Sequence, residues 1–320
     1  MAKNIICFGE ALIDFLNVGS QDLQGVPINR FDQYPGGAPA NVAVALAKLG
    51  APVQFLGQVG QDAFGNFLID CLNTYGVDTR LTLQHPSAPT ALAFVFLDAS
   101  GDRSFSFYRD ASADLLLTPA QCPATLFEGC GIFHFCSNTL TDESITKTTE
   151  AALANARAQG AVVSFDVNLR HNLWAKGAAD IARVNRLVHA AEVVKFSRDE
   201  LDYLAGSGNA SSYLQACFAA GVKLVLVTDG GQPVHAYTAQ FDVVAGIPDV
   251  DVVDTTAGGD GFTGGMLCAV NALGLSALTA DADLLTRAVG FAVSCGAVAV
   301  SRPGAFPALP TLDDVKPFWN

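Results

Sequence analysis

Three stretches of the chain carry the same spacing of apolar and polar positions. In each, a segment of helical periodicity is stopped by a glycine and followed by an apolar, β-branched run. Residues 40–49 end at Gly50 and lead into 53–56; residues 143–159 end at Gly160 and lead into 162–167; residues 211–220 end at Gly221 and lead into 222–227. Glycine just past a helix, then a buried-looking strand, is the chemistry of an αβ connection. Its repetition predicts an α/β fold: a three-layer α/β/α sandwich around a mainly parallel sheet. Residues 1–14 read as a first strand ended by Asp14. Residues 247–253 read as a strand ahead of a helical run over 262–273. Ligands in such folds sit beyond the carboxyl ends of strands. Asp166, Asn168 and Arg170 follow one predicted strand end, Thr228, Asp229 and Gly230 another, and Asp254 a third.

One segment departs from this pattern. Residues 91–97 and 104–109 alternate with period two and are joined by Asp98-Ala99-Ser100-Gly101-Asp102, a hairpin signal. In the second arm Arg103, Phe105, Phe107 and Arg109 share one face. A two-stranded ribbon is not stable alone. It is expected to pack with strands within 12–35 as a small β-sheet lid over a site; a hairpin that merely extends the main sheet is the alternative.

The 320 residues suit a single domain spanning 1–320, and with half of them apolar and 15% charged a large core is expected. The net charge of −13 repels nucleic acid and anionic membrane. An anionic substrate would therefore need a locally positive site. The eight cysteines form no CxxC pair and read as buried free thiols in a reducing compartment. No Cys/His cluster has zinc spacing. The five histidines are isolated and read as structural or surface groups. The N-terminal residues lack a signal-peptide pattern, and the weakly polar run 288–301 falls short of a membrane span. The expected setting is cytoplasmic.

The densest chemistry lies in Asp254-Thr255-Thr256-Ala257-Gly258-Gly259-Asp260. A glycine-rich loop opening a helix offers unpaired backbone N–H groups and the positive end of the helix dipole, a place for phosphate. A carboxylate beside that anion hole suits a base for an attacking hydroxyl. The plainer alternative makes both aspartates helix caps. A second loop, Pro35-Gly36-Gly37-Ala38-Pro39-Ala40-Asn41, lets backbone approach a ligand, and Asp14 with Asn41 can bind sugar hydroxyls. There is no GxxxxGK[ST] P-loop, GxSxG elbow or HExxH motif.

The two glycine loops resemble the two signatures of the ribokinase-like (PfkB) sugar kinases, and the similarity spans essentially the whole chain. Thr90-Ala91-Leu92-Ala93-Phe94-Val95, Phe105-Ser106-Phe107-Tyr108-Arg109, Ala113-Asp114 and Asp166-Val167-Asn168-Leu169-Arg170 resemble the fructokinase branch. The resemblance implies ATP-dependent phosphorylation of a sugar, D-fructose first, with Mg²⁺ as cofactor. It implies Asp260 as catalytic base and Ala257, Gly258 and Gly259 as the anion-hole backbone. Asp14, Gly36, Gly37, Asn41, Phe107, Arg109 and Arg170 would serve the sugar. Lys195, Ser197, Thr228, Gly230, Gly258, Ser294 and Gly296 would serve the nucleotide. Glu200 would organise Mg²⁺ through water, and Asp254 and Ser301 lie where some members hold a monovalent cation such as K⁺. The family often forms homodimers, here expected through the lid.

The chain departs from the family pattern in places. Ala257-Gly258-Gly259 stands where Gly-Ala-Gly is usual, so a positive φ at Ala257 would cost about 1 kcal/mol. Ser197 stands where Asn is common, and Val167 where Pro is frequent. Rival acceptors are 2-keto-3-deoxygluconate, ribose or a nucleoside. A non-catalytic sugar-binding regulator needs no base, and a dinucleotide oxidoreductase is disfavoured without the glycine fingerprint that opens such folds.

Overall fold

The glycine-stopped repeats fold as αβ units. The helices are Ala38–Lys48, Glu143–Ala158 and Ala210–Ala220. Gly50, Gly160 and Gly221 take φ of 81°, 75° and 113°, where a side chain would strain the backbone. The computed structural model describes residues 3–97 and 103–316, so the hairpin turn expected at 98–102 lies outside the described residues, as do the side chains at 97 and 103–105.

In chain order the strands are β1 (Asn4–Phe8), β2 (Leu12–Leu23), β3 (Val26–Gly36), β4 (Val53–Gly60), β5 (Thr82–His85), β6 (Leu92–Leu97), β7 (Arg103–Tyr108), β8 (Cys130–Cys136), β9 (Val162–Asp166), β10 (Val193–Ser197), β11 (Leu224–Asp229), β12 (Gln232–Tyr237) and β13 (Asp242–Ala245). Nine form one sheet in the order β13-β12-β11-β10-β9-β8-β1-β4-β5. The run from β11 to β5 is parallel, and β12 and β13 are antiparallel additions at one edge. Alternate residues of β1 show why both faces are covered. Ile5 and Cys7 join a core with Ala43, Leu46, Met266 and Val289, while Ile6 and Phe8 join one with Phe133, Leu153 and Leu201.

Two expectations are corrected here. Residues 247–253 are irregular, not a strand, so Asp254 does not follow a strand end. Pro248 offers no N–H, and Val252 and Val253 stay more than half exposed, so the segment has neither ladder nor burial to hold it as a strand. The N-terminal stretch is two strands. Gly9, at φ 145°, breaks it, and Asp14 falls near the start of β2 rather than the end of β1.

β2, β3, β6 and β7 form the separate small sheet, in the order β3-β2-β6-β7, so the hairpin does not extend the main sheet. Period two divides its faces. Leu12, Ala93 and Phe107 cluster on one face, from which Leu12 and Phe107 reach the cavity described below. Phe15, Phe31, Phe94, Phe96 and Tyr108 join in ring contacts on the other side, where Phe15 and Phe94 stack at 5.0 Å.

The helix Gly258–Leu273 runs against the 19-residue helix Ala282–Val300. Small residues bring them close: a Cβ on Gly265 would stand 2.8 Å from Cys295 Sγ, and one on Gly261 would stand 3.1 Å from Ala299 Cβ. By length and composition Ala282–Val300 passes as a membrane span, contrary to the sequence expectation, but 61% of its apolar window is buried inside the protein.

Candidate active site

The carboxyl ends of β1, β8, β9 and β10 open on a cavity of about 430 Å³, bordered by Glu10, Asn138, Asp166 and Lys195 from the sheet and by Asp14 and Phe107 from the lid. A second cavity of about 530 Å³ has a mostly apolar lining that includes Val250, Val252, Phe262, Val293 and Val300. The two share Thr255 and Gly259, so they meet at the glycine-rich loop.

Asp260 lies in the first turn of Gly258–Leu273, and that helix has no side-chain cap. The capping alternative for Asp260 therefore fails, and the first-turn amides remain available to an anion. Asp260 is buried and accepts a 2.7 Å hydrogen bond from Asn41 Nδ2. Burial pushes its pKa up to about 7, and Asp166 adds to the rise. The Asn41 bond, Lys195 and Arg170 pull the other way. Ala257 has φ −103°, so its methyl sits without strain and the exchanged glycine costs nothing there.

Beside Asp260 lies a buried ion pair. Lys195 Nζ donates to Asp166 Oδ1 at 2.9 Å, and Thr263 Oγ1 donates to Asp166 Oδ2 at 3.3 Å. Burial disfavours the Lys195 charge, but Asp166, Glu200 and Asp260 outweigh it and hold the lysine pKa above its ordinary value. A cation thus stands beneath the loop, where a Cβ on Gly259 would be 3.4 Å from Lys195 Nζ. Just after β9, Asn168 takes φ 37°, a left-handed conformation that asparagine tolerates, and borders the cavity with Arg170.

The remaining candidates divide by place. Asp14, Gly37, Asn41, Phe107 and Arg170 border the polar cavity. Gly36 packs against Asp14, where a Cβ would stand 2.0 Å from Oδ2. Gly37 has φ 102°, and a Cβ there would stand 2.5 Å from Glu10 O. Lys195, Ser197 and Glu200 border the polar cavity, while Thr228, Gly230, Gly258 and Gly296 border the apolar one. Ser294 turns away and donates to Gly290 O. Arg109 requires a correction: it does not border the cavity. Its guanidinium is buried against Asp114 at 2.6 Å and donates twice to Asn138 O at 3.0 Å, so its charge is spent inside the fold.

Glu200 and Ser197 form a reciprocal capping box at the start of Arg198–Ala205. Glu200 Oε1 accepts from Leu169 N and Oε2 from Ser197 N, both at 2.7 Å. Among the described residues no group of three His, Cys, Asp or Glu is placed to hold a metal. This donor set fits a Mg²⁺ carried mainly by nucleotide phosphates and water, with Glu200 acting at one remove. Asp254 accepts from Thr256 N and from Gly304 N, and Ser301 Oγ donates to Val298 O. Asp254 therefore ties its own loop to the segment after Ala282–Val300.

Two polar residues of the cavity escaped sequence reasoning. Glu10 sits between β1 and β2, and Asn138 two residues past β8. The usable signal was β8, apolar except for His134, buried throughout and followed by Ser137-Asn138-Thr139 at its carboxyl end. Gly259, Gly261 and Gly264 do have dinucleotide-fingerprint spacing, yet they lie within a helix rather than at a strand–helix turn.

A buried carboxylate with a pKa near neutrality, an uncapped helix start and two cavities meeting there define a phosphotransferase site. The chain belongs to the pfkB family of carbohydrate kinases, whose model matches residues 2–312. It is 39% identical to the probable fructokinase-7 of Arabidopsis thaliana over 317 residues, which is 98% of this chain and 91% of that one. Its fold matches the fructokinase of Xylella fastidiosa with bound ATP at a TM-score of 0.92 and 43% identity, covering 99% and 98% of the two chains. A double mutant of the Vibrio cholerae O395 fructokinase, with fructose, ADP and a potassium ion bound, matches at 0.86 and 34%, covering 100% and 99%. The architecture is ribokinase-like.

Proposed function

We propose that this protein transfers the γ-phosphoryl group of ATP to D-fructose, forming fructose 6-phosphate. The observation that carries the reading is Asp260, a buried carboxylate with a pKa near 7 at the start of a helix that joins the two cavities. Fructokinase relatives aligned over nearly the whole chain support the choice of sugar.

In the polar cavity, Asp14, Gly37 and Asn41 hold sugar hydroxyls. Asn41 also fixes the Asp260 carboxylate through its amide. Asp260 takes the proton of the attacking hydroxyl, and a pKa near 7 suits that transfer at neutral pH. The apolar cleft receives the base of the nucleotide, with Thr228 and Gly230 toward its phosphates. First-turn amides of Gly258–Leu273, Lys195 and Arg170 stabilise the negative charge of the transferring group. Glu200, acting through water, would help to hold a Mg²⁺ bound to ATP, which would supply neutralisation of phosphate charge. The lid strand carrying Phe107 covers the acceptor and excludes water.

A monovalent cation at Asp254 and Ser301 belongs to the same reading. Because both Asp254 oxygens already accept backbone N–H groups, it would use their remaining lone pairs. Val18, Leu23, Val26, Ile28 and Tyr108 expose apolar surface on the lid, which suits packing against a second copy. Eight free thiols fit a reducing, cytoplasmic setting.

The test is ADP release with Mg-ATP and a panel of fructose, glucose, ribose, 2-keto-3-deoxygluconate, adenosine and no acceptor. A rate specific to fructose is expected. A rate specific to another acceptor overturns the sugar assignment while keeping the chemistry, and no stimulation by any acceptor favours a sugar-binding regulator.

A further inference from the structure

Two asparagines bordering the cavity, Asn41 and Asn138, each have a buried Oδ1 with no partner among the described residues. Asn138 lies in the single 3₁₀ turn Ser137–Leu140 just past β8, is buried, and borders the polar cavity. Its Nδ2 donates to Glu10 Oε1 at 2.8 Å. Its Oδ1 is buried and has no partner among the described residues. Glu10 Oε1 accepts from the amide NH₂, which leaves Oδ1 as the group to be satisfied; burial raises the Glu10 pKa, and Arg109 and this hydrogen bond oppose the rise. Buried acceptors are rarely left unpaired in native proteins, and one beside a ligand cavity calls for a donor from the ligand.

The backbone around Asn138 is fixed as firmly as its side chain. Arg109 donates two hydrogen bonds to Asn138 O, and Thr141 Oγ1 donates a third at 3.1 Å. Asp114 anchors Arg109, and Ser112 Oγ donates to Asp114 Oδ1 at 2.5 Å. Glu10 lies two residues before the first lid strand, and Arg109 immediately follows the last. Two of the four passages between main domain and lid thus converge on Asn138.

We infer that Asn138 is a sugar-contacting, specificity-determining residue. Its Oδ1 accepts a hydrogen bond from an acceptor hydroxyl other than the one phosphorylated, and Glu10 is the positioning residue that aims it. The inference rests on the proposed sugar-kinase reading and adds a residue pair to its acceptor site. Arg109 and Asp114 fix the same residue through its backbone, which accounts for a buried arginine that reaches no ligand.

The experiment measures steady-state kinetics with whichever acceptor the wild-type protein phosphorylates fastest, so a wrong choice of fructose leaves it intact. Asn138→Ala is expected to raise the sugar KM about tenfold, the worth of one neutral hydrogen bond, with the ATP KM unchanged within about twofold. Glu10→Ala is expected to match it, and the double variant to lose little more than either alone. Glu10→Gln keeps an acceptor for Asn138 Nδ2 and is expected to restore the sugar KM. Should the alanine variants fold poorly, the wild-type protein is assayed with monodeoxy analogues of the sugar. Loss of one non-reacting hydroxyl is expected to raise KM about tenfold, and Asn138→Ser, which shortens the acceptor, to blunt that difference. An unchanged sugar KM in Asn138→Ala, an equal rise in both KM values, or a deoxy series with no such hydroxyl overturns the inference.

Discussion

Asp260 is held in tension between its surroundings and its work. Burial raises its pKa, and Asn41, Lys195 and Arg170 keep it low enough to ionise near neutrality. Catalysis needs the ionised form, so kcat/KM for the sugar is expected to rise about tenfold per pH unit on the acid side and level off above an apparent pKa near 7. A profile flat from acid to neutral pH would remove Asp260 as the titrating base. Stability runs the opposite way. The folded state keeps the proton to about pH 7, whereas an unfolded aspartate loses it near pH 4, so this group destabilises the protein increasingly as pH rises through that window. Asp260→Asn is therefore expected to be more stable than wild type at pH 8, by on the order of 4 kcal/mol, and to show no gain below pH 4. Thermal melts at both pH values check this. Asp260 and its loop were legible in sequence as a candidate site because a doubled glycine beside an aspartate is a local pattern. Glu10 and Asn138 were not, since their pairing joins residues far apart in the chain. Arg109 was misread for the same reason: an arginine at the end of a lid strand looks free until Asp114 is seen to occupy it.

The three glycine-stopped helices and the strands that follow them were legible from spacing, because glycine stops and apolar runs are local, whereas helices such as Ala63–Thr74 and Ala282–Val300 were not read from it. Residues 247–253 misled because alternating valines carry a strand signal that Pro248 and the lack of a ladder partner overrule. β2 and β3 fill the stretch expected to hold lid strands and run on as an exposed ribbon with few buried positions. Two glycines of one helix pair have opposite expected effects. Gly265→Ala drives a Cβ to 2.8 Å from Cys295 Sγ and 2.9 Å from Ala292 Cα, and is expected to cost about 1–3 kcal/mol. Gly290→Ala, in the helix Ala282–Val300, meets nothing within 4 Å and is expected to stabilise by about 0.5–1 kcal/mol. Denaturant unfolding of the two variants checks both signs. The lid is the other element with a measurable role. Phe107 covers the cavity from β7, so ATP hydrolysis without sugar is expected to be a small fraction of the sugar-dependent rate. Rapid sugar-independent hydrolysis would show that the lid does not exclude water.

At the scale of the whole molecule, an acidic chain binds an anionic substrate by concentrating a few positive groups at one point. Of 18 lysines and arginines, Lys195 and Arg170 border the polar cavity, and the helix start at Gly258 adds its dipole where the cavities meet. On the proposed reading, sugar and nucleotide take the two cavities that meet at Thr255 and Gly259, so each ligand stabilises the fold by mass action. A ligand at about a hundred times its dissociation constant adds about 2.7 kcal/mol, and the melting temperature is expected to rise with fructose and again with Mg-ADP. The central claim is that Asp260 removes the proton in a site that binds sugar without its help. The measurement is turnover of Asp260→Asn with fructose and Mg-ATP, beside calorimetric titration of the same variant with fructose. The expected result is a kcat lower by about 10²–10⁴-fold with fructose affinity close to that of wild type. Turnover close to wild type in a folded, fructose-binding variant would contradict it.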